Sequence, residues 1–182
     1  MTAGEGTGAT EETGAAGGVP PTDGAAAGWS LRPATLEDVE EIAVAELELF
    51  PDEAWTVFQL AEEIGHPDRR YVVAVGPEGA LLGYAGIMLA GDLADLHTIG
   101  TRREGEGIGR ALLVWCEEQA RRGGAERMLL EVREDNSRAR AVYSAAGYRE
   151  IDRRRDYYRI RGRRIDALVM ARDLGAPGGP TA

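Results

Sequence analysis

The chain contains no lysine and a single cysteine. All 21 basic residues among its 182 are arginines, and 31 acidic residues bring the formal net charge to −10. The absence of lysine excludes a Walker-type phosphate loop and any mechanism that forms a Schiff base on a lysine. Because Cys116 is alone, an internal disulfide and a cysteine-rich metal site are excluded as well. We therefore expect a protein of a reducing, cytoplasmic compartment.

Long apolar runs are also missing. No segment approaches the roughly 18 apolar residues that cross a membrane, and the N-terminus lacks the basic and apolar regions of a secretory signal. An acidic chain is poorly suited to sequence-independent binding of nucleic acid, which depends on neutralising phosphates. No spacing of His, Asp and Glu resembles a metal site. We expect small molecules or basic polypeptides as partners, with no metal, no membrane and no direct contact with nucleic acid.

The first 28 residues differ from the rest in composition. Gly and Ala fill 15 of these 28 positions, and no aromatic residue is present. Such a segment buries too little apolar surface to offset its ordering entropy, so residues 1–28 are predicted to be a disordered tail. The remaining length is that of one domain. We predict a single domain over residues 29–174 and a flexible C-terminal tail over residues 175–182.

The domain alternates between strand-like and helix-like patterns. Strands are predicted at residues 29–33, 71–75, 81–89, 93–100, 127–132, 148–153 and 165–172, and helices at 35–50, 54–64, 107–122 and 137–146. In the first helix, Thr35 is the expected N-cap, and the expected apolar face is Val39, Ile42, Ala43, Leu47 and Phe50. The order predicts an α/β (α+β) domain on a largely antiparallel sheet, with βαβ character in its second half.

The most informative stretch is LHTIGTRREGEGIGRALL, in which a strand ends near Gly100 and a helix begins after a glycine-rich loop. Closely spaced glycines, here Gly105, Gly107 and Gly109, let the main chain approach a ligand. The N-terminus of the helix adds free N–H groups and a partial positive charge, which suit a phosphate. Arg110 stands where a dinucleotide-binding fingerprint has its third glycine. The glycines alone are equally typical of a flexible turn.

Together with LLEVREDNSRARAVYSAAGY, this stretch resembles the two signature segments of the GNAT superfamily of acetyl-CoA-dependent N-acetyltransferases. The resemblance covers residues 31–174. The segments LEVR, RRDYY and ELELFPDEAW are similar to the bacterial ribosomal-protein alanine N-acetyltransferases of the Rim type. This resemblance implies the GNAT fold, a mixed and mostly antiparallel sheet of about six to seven strands with about four helices. It also implies acetyl-CoA as co-substrate.

The same resemblance implies a set of coenzyme-binding residues. The strand end would meet the acetyl-pantetheine arm, the loop would hold the pyrophosphate, and Asn136 would hydrogen-bond the coenzyme. The strand end is Ile99, Gly100 and Thr101, and the loop is Gly105, Glu106, Gly107, Ile108, Gly109 and Arg110. The chain departs from the family at Glu104, where Gln or Arg is usual, and in a loop about two residues shorter. A carboxylate beside a pyrophosphate costs about 1 kcal/mol, which Arg102, Arg103 or Arg110 would offset.

Acetyl transfer to an amine needs a base for the amine proton and an acid for the departing thiolate. Glu131 lies late in an apolar strand, and Tyr143 lies on a helix among apolar residues. The residues alone leave Glu131 as either an exposed strand-end acid or a functional carboxylate, and Tyr143 as either a core or a catalytic side chain. The resemblance implies Glu131 as general base, acting through water, and Tyr143 as general acid. Cys116 falls on the apolar stripe of its helix and is expected to be buried rather than nucleophilic.

Two histidines and a basic run remain. His66 is expected in a loop after a helix, and His97 is expected to have a packed or hydrogen-bonded structural role. The basic run RRRDYYRIRGRR, residues 153–164, is either a solvated hairpin or a surface that binds a partner. Tyr157 and Tyr158 within it match the segment of the Rim-type family, which suggests that they border the peptide slot.

The net charge is unevenly distributed, with −9 over residues 29–66 and +3 over residues 67–182. This predicts the coenzyme on the arginine-rich part and a basic polypeptide on the acidic part. An α-amino group, with a pKa of about 8, is largely neutral at cytoplasmic pH, whereas a lysine with a pKa of about 10.4 is not. The expected function is direct transfer of acetyl to a protein N-terminus, the N-terminal alanine of a small-subunit ribosomal protein. The alternatives are a GNAT enzyme acting on lysine side chains or a small-molecule amine, and a non-catalytic acyl-CoA-binding module.

Overall fold

A computed structural model describes residues 28–175. The strands are β1 (Ser30–Pro33), β2 (Arg69–Val75), β3 (Leu81–Ala90), β4 (Leu93–Thr101), β5 (Arg127–Arg133), β6 (Arg149–Ile160) and β7 (Arg163–Asp173). The helices are α1 (Val39–Leu49), α2 (Val57–Gly65), α3 (Ile108–Arg122) and α4 (Ser137–Ala145). Of the two predicted tails, residues 1–28 and 175–182, only Gly28 and Gly175 fall within the described part of the chain.

The seven strands form one sheet in the order β1-β2-β3-β4-β5-β7-β6. All neighbours are antiparallel except β4 and β5, which run parallel and are connected through α3. The mixed, mostly antiparallel sheet and the four helices that the sequence predicted are thereby confirmed. The parallel pairing is short, because it joins only Leu93–Leu96 to Arg127–Leu130. Beyond these residues the two strands continue without pairing to each other.

Two apolar clusters cover the two faces of the sheet. On one face, α3 contributes Ile108, Leu112 and Cys116, which pack with Met128 and Leu130 of β5. Cys116 is fully buried, as the sequence predicted. On the other face, α1 and α2 pack through side chains that include Ile42 and Leu60 against strands β2 and β3. Strand β2 serves both clusters, because its consecutive side chains alternate between the faces.

Helix α1 buries Val39, Ile42 and Ala43, as expected, and Phe50 packs against the same cluster, but Leu47 does not. Leu47 was expected in the core, but 62% of its surface is exposed, whereas its neighbour Glu46 is only 1% exposed. Glu46 continues the helical spacing of Val39, Ile42 and Ala43, so both assignments fit the period. The structure selects Glu46 because polar partners lie beneath it, as described below.

Two element boundaries also differ from the prediction. Helix α2 begins at Val57 rather than at residue 54, because Thr56 caps it. The main-chain N–H of Gln59 donates to Thr56 Oγ1 (3.3 Å), and the main-chain N–H of Thr56 donates to the side-chain oxygen Oε1 of Gln59 (3.0 Å). Strand β6 was expected to end at Arg153, but it continues to Ile160. It is an edge strand exposed along most of its length, so it lacks the alternation of apolar residues that marks a half-buried strand. No helix within residues 28–175 is long and apolar enough to cross a bilayer.

Candidate active site

The separation of β4 and β5 opens a cleft in the middle of the sheet. On their outer sides both strands stay paired, β4 with β3 as far as Thr101 and β5 with β7 as far as Arg133. Past Leu96 and Leu130, the edges that face each other carry no pairing. Main-chain N–H and C=O groups on these edges therefore remain available to a ligand. The predicted strand end, residues 99–101, lies on this part of β4.

A β-bulge at His97 turns two consecutive side chains of β4 toward α1 and α2. Ile87 pairs with Leu96 and Gly86 pairs with Thr98, so His97 has no counterpart on β3. His97 Nδ1 lies 3.0 Å from an oxygen of Glu63 on α2. The hydrogen-bonded structural role expected of His97 is therefore confirmed, and His66 likewise follows the last residue of α2.

The glycine-rich loop connects this strand to α3. Gly105 and Gly107 both have φ of +78°, and a Cβ on either would meet no atom within 4 Å. Gly107 is the N-cap of α3, and no acidic residue lies in the first turn of that helix. Arg110 is exposed in the same turn. This open loop, with a helix N-terminus behind it, fits a pyrophosphate held by main-chain amides. Gly100 is required for packing instead, because a Cβ there would lie 2.8 Å from Leu49 Cδ1.

Glu104, the departure from the family pattern, is neutralised by a residue that the sequence analysis did not name. Arg138, in the first turn of α4, forms an ion pair with it and lowers the pKa of the Glu104 carboxyl. Arg102 instead pairs with acidic residues of α1, and Arg103 lies 3.7 Å from Glu106 within the loop. The compensation expected from Arg102 and Arg103 is therefore supplied by α4.

Glu131 occupies the first position of β5 beyond its last pair with β4. It alternates with the core residues Leu130 and Val132, so its side chain lies on the face of the sheet that carries α1 and α2. About a third of this side chain is exposed, and its Oε1 lies 2.9 Å from Nη1 of Arg154 on β6. The structure thus places a carboxylate at the mouth of the cleft, accessible and held by one ion pair.

Tyr143 lies on α4, and Asn136 caps the N-terminus of that helix. Tyr143 is 7% exposed and packs edge-on against Tyr148, with ring centroids 6.0 Å apart. Burial raises the pKa of the Tyr143 phenol, so the group keeps its proton near neutral pH. Asn136 is the N-cap of α4, where its side-chain oxygen accepts from the Ala139 amide (3.1 Å). Its NH₂ group is the part of the side chain that can donate to a ligand.

Tyr157 and Tyr158 form an edge-on pair on β6, with centroids 5.0 Å apart. The Arg154 guanidinium lies over the Tyr157 ring, 5.3 Å from its centroid. Burial, together with the negative charges of Glu53 and Glu131, raises the pKa of Tyr158 to about 12. Tyr158 therefore lies close enough to Glu53 and Glu131 to respond to their charges.

The α1–α2 loop, residues 50–56, spans the cleft. On one side Trp55 stacks on His97 of β4, with centroids 6.0 Å apart and ring planes 24° apart. On the other side Glu53 lies 3.7 Å from Arg133 of β5, and burial raises the pKa of the Glu53 carboxyl. The sequence analysis did not single out Glu53 or Trp55 individually. The only signal was the similarity of ELELFPDEAW to a family segment.

Part of the acidic surplus of residues 29–66 is neutralised within the molecule. Six acidic residues there lie within 4.0 Å of an arginine nitrogen, namely Asp38, Glu41, Glu48, Asp52, Glu53 and Glu63. The attraction of this segment for a basic polypeptide is therefore weaker than its net charge indicates. In the described part of the chain, no group of three or more His, Cys, Asp or Glu side chains is arranged to hold a metal ion.

Comparison with known proteins agrees with this geometry. Residues 36–148 match the acetyltransferase (GNAT) family. The chain belongs to this family.

The GNAT chain is 39% identical over 150 residues to the N-alpha-acetyltransferase RimI of Mycobacterium tuberculosis, a match that covers 79% of this chain and 91% of that protein. Its fold is similar to the crystal structure of the ribosomal-protein-S18-alanine N-acetyltransferase from Escherichia coli, with a TM-score of 0.75 and 23% identity over 85% of this chain and 99% of that one. The Arabidopsis thaliana NAA60 complex with acetyl-CoA gives a TM-score of 0.72 and 19% identity, over 80% and 98% of the two chains.

Proposed function

We propose that this GNAT enzyme transfers the acetyl group of acetyl-CoA to the N-terminal α-amino group of a polypeptide, namely the N-terminal alanine of a small-subunit ribosomal protein. The observation that carries the proposal is the position of Glu131. Its carboxylate lies at the position on β5 where pairing with β4 ends. The opposite edge of the cleft is formed by β4, which continues into the glycine-rich loop. The names of the relatives, which include an N-alpha-acetyltransferase and a ribosomal-protein-S18-alanine N-acetyltransferase, support the class of acceptor.

Acetyl-CoA supplies an acetyl group activated as a thioester. The main chain of Ile99, Gly100 and Thr101 would bind its pantetheine arm, because this part of the β4 edge is unpaired toward β5. The loop over residues 105–110 would bind its pyrophosphate, and the NH₂ group of Asn136 would donate a further hydrogen bond. The open space at Gly105 and Gly107 and the pairing of Glu104 with Arg138 support this assignment.

The chemistry requires one proton to leave the amine and one to reach the sulfur. A bond forms between the amine nitrogen and the acetyl carbon while the bond between that carbon and sulfur breaks. Glu131 accepts the proton of the amine, directly or through a water molecule. Tyr143 holds its proton at neutral pH and donates it to the thiolate. Burial raises the pKa of the Cys116 thiol, so an acyl-enzyme on this residue is disfavoured and transfer is direct.

A protein N-terminus is the acceptor that this site can use with least assistance. An α-amino group has a pKa of about 8, so a substantial fraction is already neutral, whereas a lysine with a pKa of about 10.4 is almost entirely protonated. One carboxylate, about a third exposed, is then a sufficient base. A lysine side chain would need a site that strongly favours its neutral form.

A peptide panel tests the proposal. The enzyme is incubated with acetyl-CoA and three acceptors: a peptide with a free N-terminal alanine, the same peptide with a blocked N-terminus and an internal lysine, and a polyamine. Intact-mass spectrometry is expected to show one added acetyl group on the free peptide alone. If the blocked peptide or the polyamine is labelled as strongly as the free peptide, the assignment to protein N-termini is refuted. Binding of acetyl-CoA without labelling of any acceptor would identify a non-catalytic module instead.

A further inference from the structure

Glu46 on α1 is a deeply buried acid that the proposed mechanism does not use. It is 1% exposed, and within residues 28–175 it forms no ion pair with Arg or His. The other glutamate buried to a similar degree, Glu117 on α3, is 3% exposed and holds Arg172 at 2.6 Å. A buried carboxylate is costly unless it is paired or well hydrogen-bonded. The contacts of Glu46 therefore need an explanation other than neutralisation.

Both carboxylate oxygens of Glu46 accept hydrogen bonds, and the two donors come from different parts of the fold. Thr98 Oγ1 donates to Oε1 at 2.7 Å, and the main-chain N–H of Trp55 donates to Oε2 at 3.4 Å. Thr98 follows the bulge of β4, at the start of the unpaired edge, while Trp55 belongs to the α1–α2 loop. One side chain thus joins α1, the cleft-lining strand and the loop.

The loop that Glu46 holds is the one that spans the cleft. Its Trp55 ring stacks on His97 of β4, and its Glu53 lies 3.7 Å from Arg133, two residues beyond Glu131. The position of residues 50–56 therefore sets the width of the space in front of Glu131. The glycine-rich loop follows the C-terminal end of β4 and has no hydrogen bond with Glu46 among the described residues.

We propose that Glu46 is a positioning residue for the acceptor: its carboxylate fastens the α1–α2 loop to β4 and so fixes the acceptor side of the cleft, leaving the coenzyme side untouched. This inference rests on the proposed function, because it concerns the acceptor of that same site. It explains why the acid Glu46 is buried, whereas its neighbour Leu47, which was expected in the core, is exposed. An apolar side chain would fill the space equally well but could not accept from both donors.

Steady-state kinetics of four variants test the proposal. Glu46→Leu keeps the volume and removes both hydrogen bonds, and the double variant Glu46→Leu/Thr98→Val also removes the Thr98 hydroxyl, one of the two donors that Glu46→Leu orphans. Both are expected to raise KM for the peptide about tenfold, the effect of losing about one net hydrogen bond, with KM for acetyl-CoA changed less than twofold. Glu46→Gln can serve both partners through its amide and is expected to restore the peptide KM. Glu117→Leu, the matched control, is expected to lower Tm and leave the peptide KM unchanged.

Equal increases in both KM values, or an unchanged peptide KM in Glu46→Leu, would overturn the proposal. Hydrogen–deuterium exchange on the protein without substrates provides a second measurement that does not need activity. The double variant is expected to speed exchange within residues 50–56 and to leave residues 105–110 unchanged, whereas unchanged exchange in residues 50–56 contradicts the role. If the wild type acetylates no peptide N-terminus, the proposed function fails while the exchange experiment still decides whether Glu46 positions the loop.

Discussion

The glycine-rich loop gives a quantitative test of coenzyme binding. Gly105 and Gly107 both have φ of +78°, and a Cβ on either meets nothing within 4 Å. Alanine in this left-handed conformation costs about 1 kcal/mol. For a domain of this size, that cost lowers Tm by roughly 2–4 °C. Gly79, in the turn between β2 and β3, has φ of +83° and equally open surroundings, so Gly79→Ala is a control with the same strain.

We expect the three variants to lose similar stability but to differ in their affinity for acetyl-CoA. In Gly105→Ala and Gly107→Ala the new methyl group enters the space assigned to the pyrophosphate and displaces its oxygens from main-chain amides. Loss of one charge-assisted hydrogen bond, about 1.5–3 kcal/mol, corresponds to roughly 10- to 100-fold weaker binding. Isothermal titration with acetyl-CoA measures this, and Gly79→Ala is expected to bind like the wild type. If all three variants lose equal stability and bind equally well, the loop does not hold the pyrophosphate.

Three further predictions concern side chains to which we assign a part in catalysis or coenzyme binding. Glu131→Gln is expected to lower kcat about ten- to a thousandfold while acetyl-CoA still binds, because only proton removal is lost; a wild-type rate removes Glu131 from the mechanism. Tyr143→Phe is expected to lower kcat over the same range of about ten- to a thousandfold. Tyr148→Phe removes a buried hydroxyl that lies near Glu117 and takes no part in the proposed chemistry, so it is expected to leave kcat unchanged; equal rates in the two phenylalanine variants contradict the acid role. Arg138→Ala is expected to weaken acetyl-CoA binding by unmasking the Glu104 carboxylate, and Glu104→Gln in that background to restore it; binding that is indifferent to both changes refutes the compensation.

The elements that the sequence predicted well are those in which burial and local signals agree. Helix α3 ends at Arg122, as expected, and begins one residue after Gly107. Its apolar spacing and its glycine boundaries point to the same limits. The predicted end of strand β6 came too early, because an exposed edge strand carries arginines where a buried strand carries apolar residues. The polarity of residues 153–160 therefore reports their place at the edge of the sheet rather than the end of the strand.

The glycine-rich loop, which we propose binds the coenzyme, could be recognised from the sequence, whereas the contacts of the α1–α2 loop could not. Glycines next to a helix start are local features, and their role follows from backbone geometry. The hydrogen bond between Thr98 and Glu46 and the ion pair between Glu53 and Arg133 join residues about 50 to 80 positions apart through the fold. In sequence Glu46 and Glu53 look like acids on the solvated face of a helix or a loop. Only the bulge at His97 and the course of the α1–α2 loop reveal their partners.

The way the cleft between β4 and β5 is built determines which substitutions it can accept. Its facing walls are formed by main-chain N–H and C=O groups, and every residue except proline supplies these groups. The side chains of these strand segments point above and below the sheet rather than into the gap. Substitutions there can therefore reshape the acceptor side without altering the hydrogen bonds offered to a ligand along the strand edges. We expect that acceptor preference can be re-engineered at positions such as Thr98 and Arg133 while affinity for the coenzyme is retained.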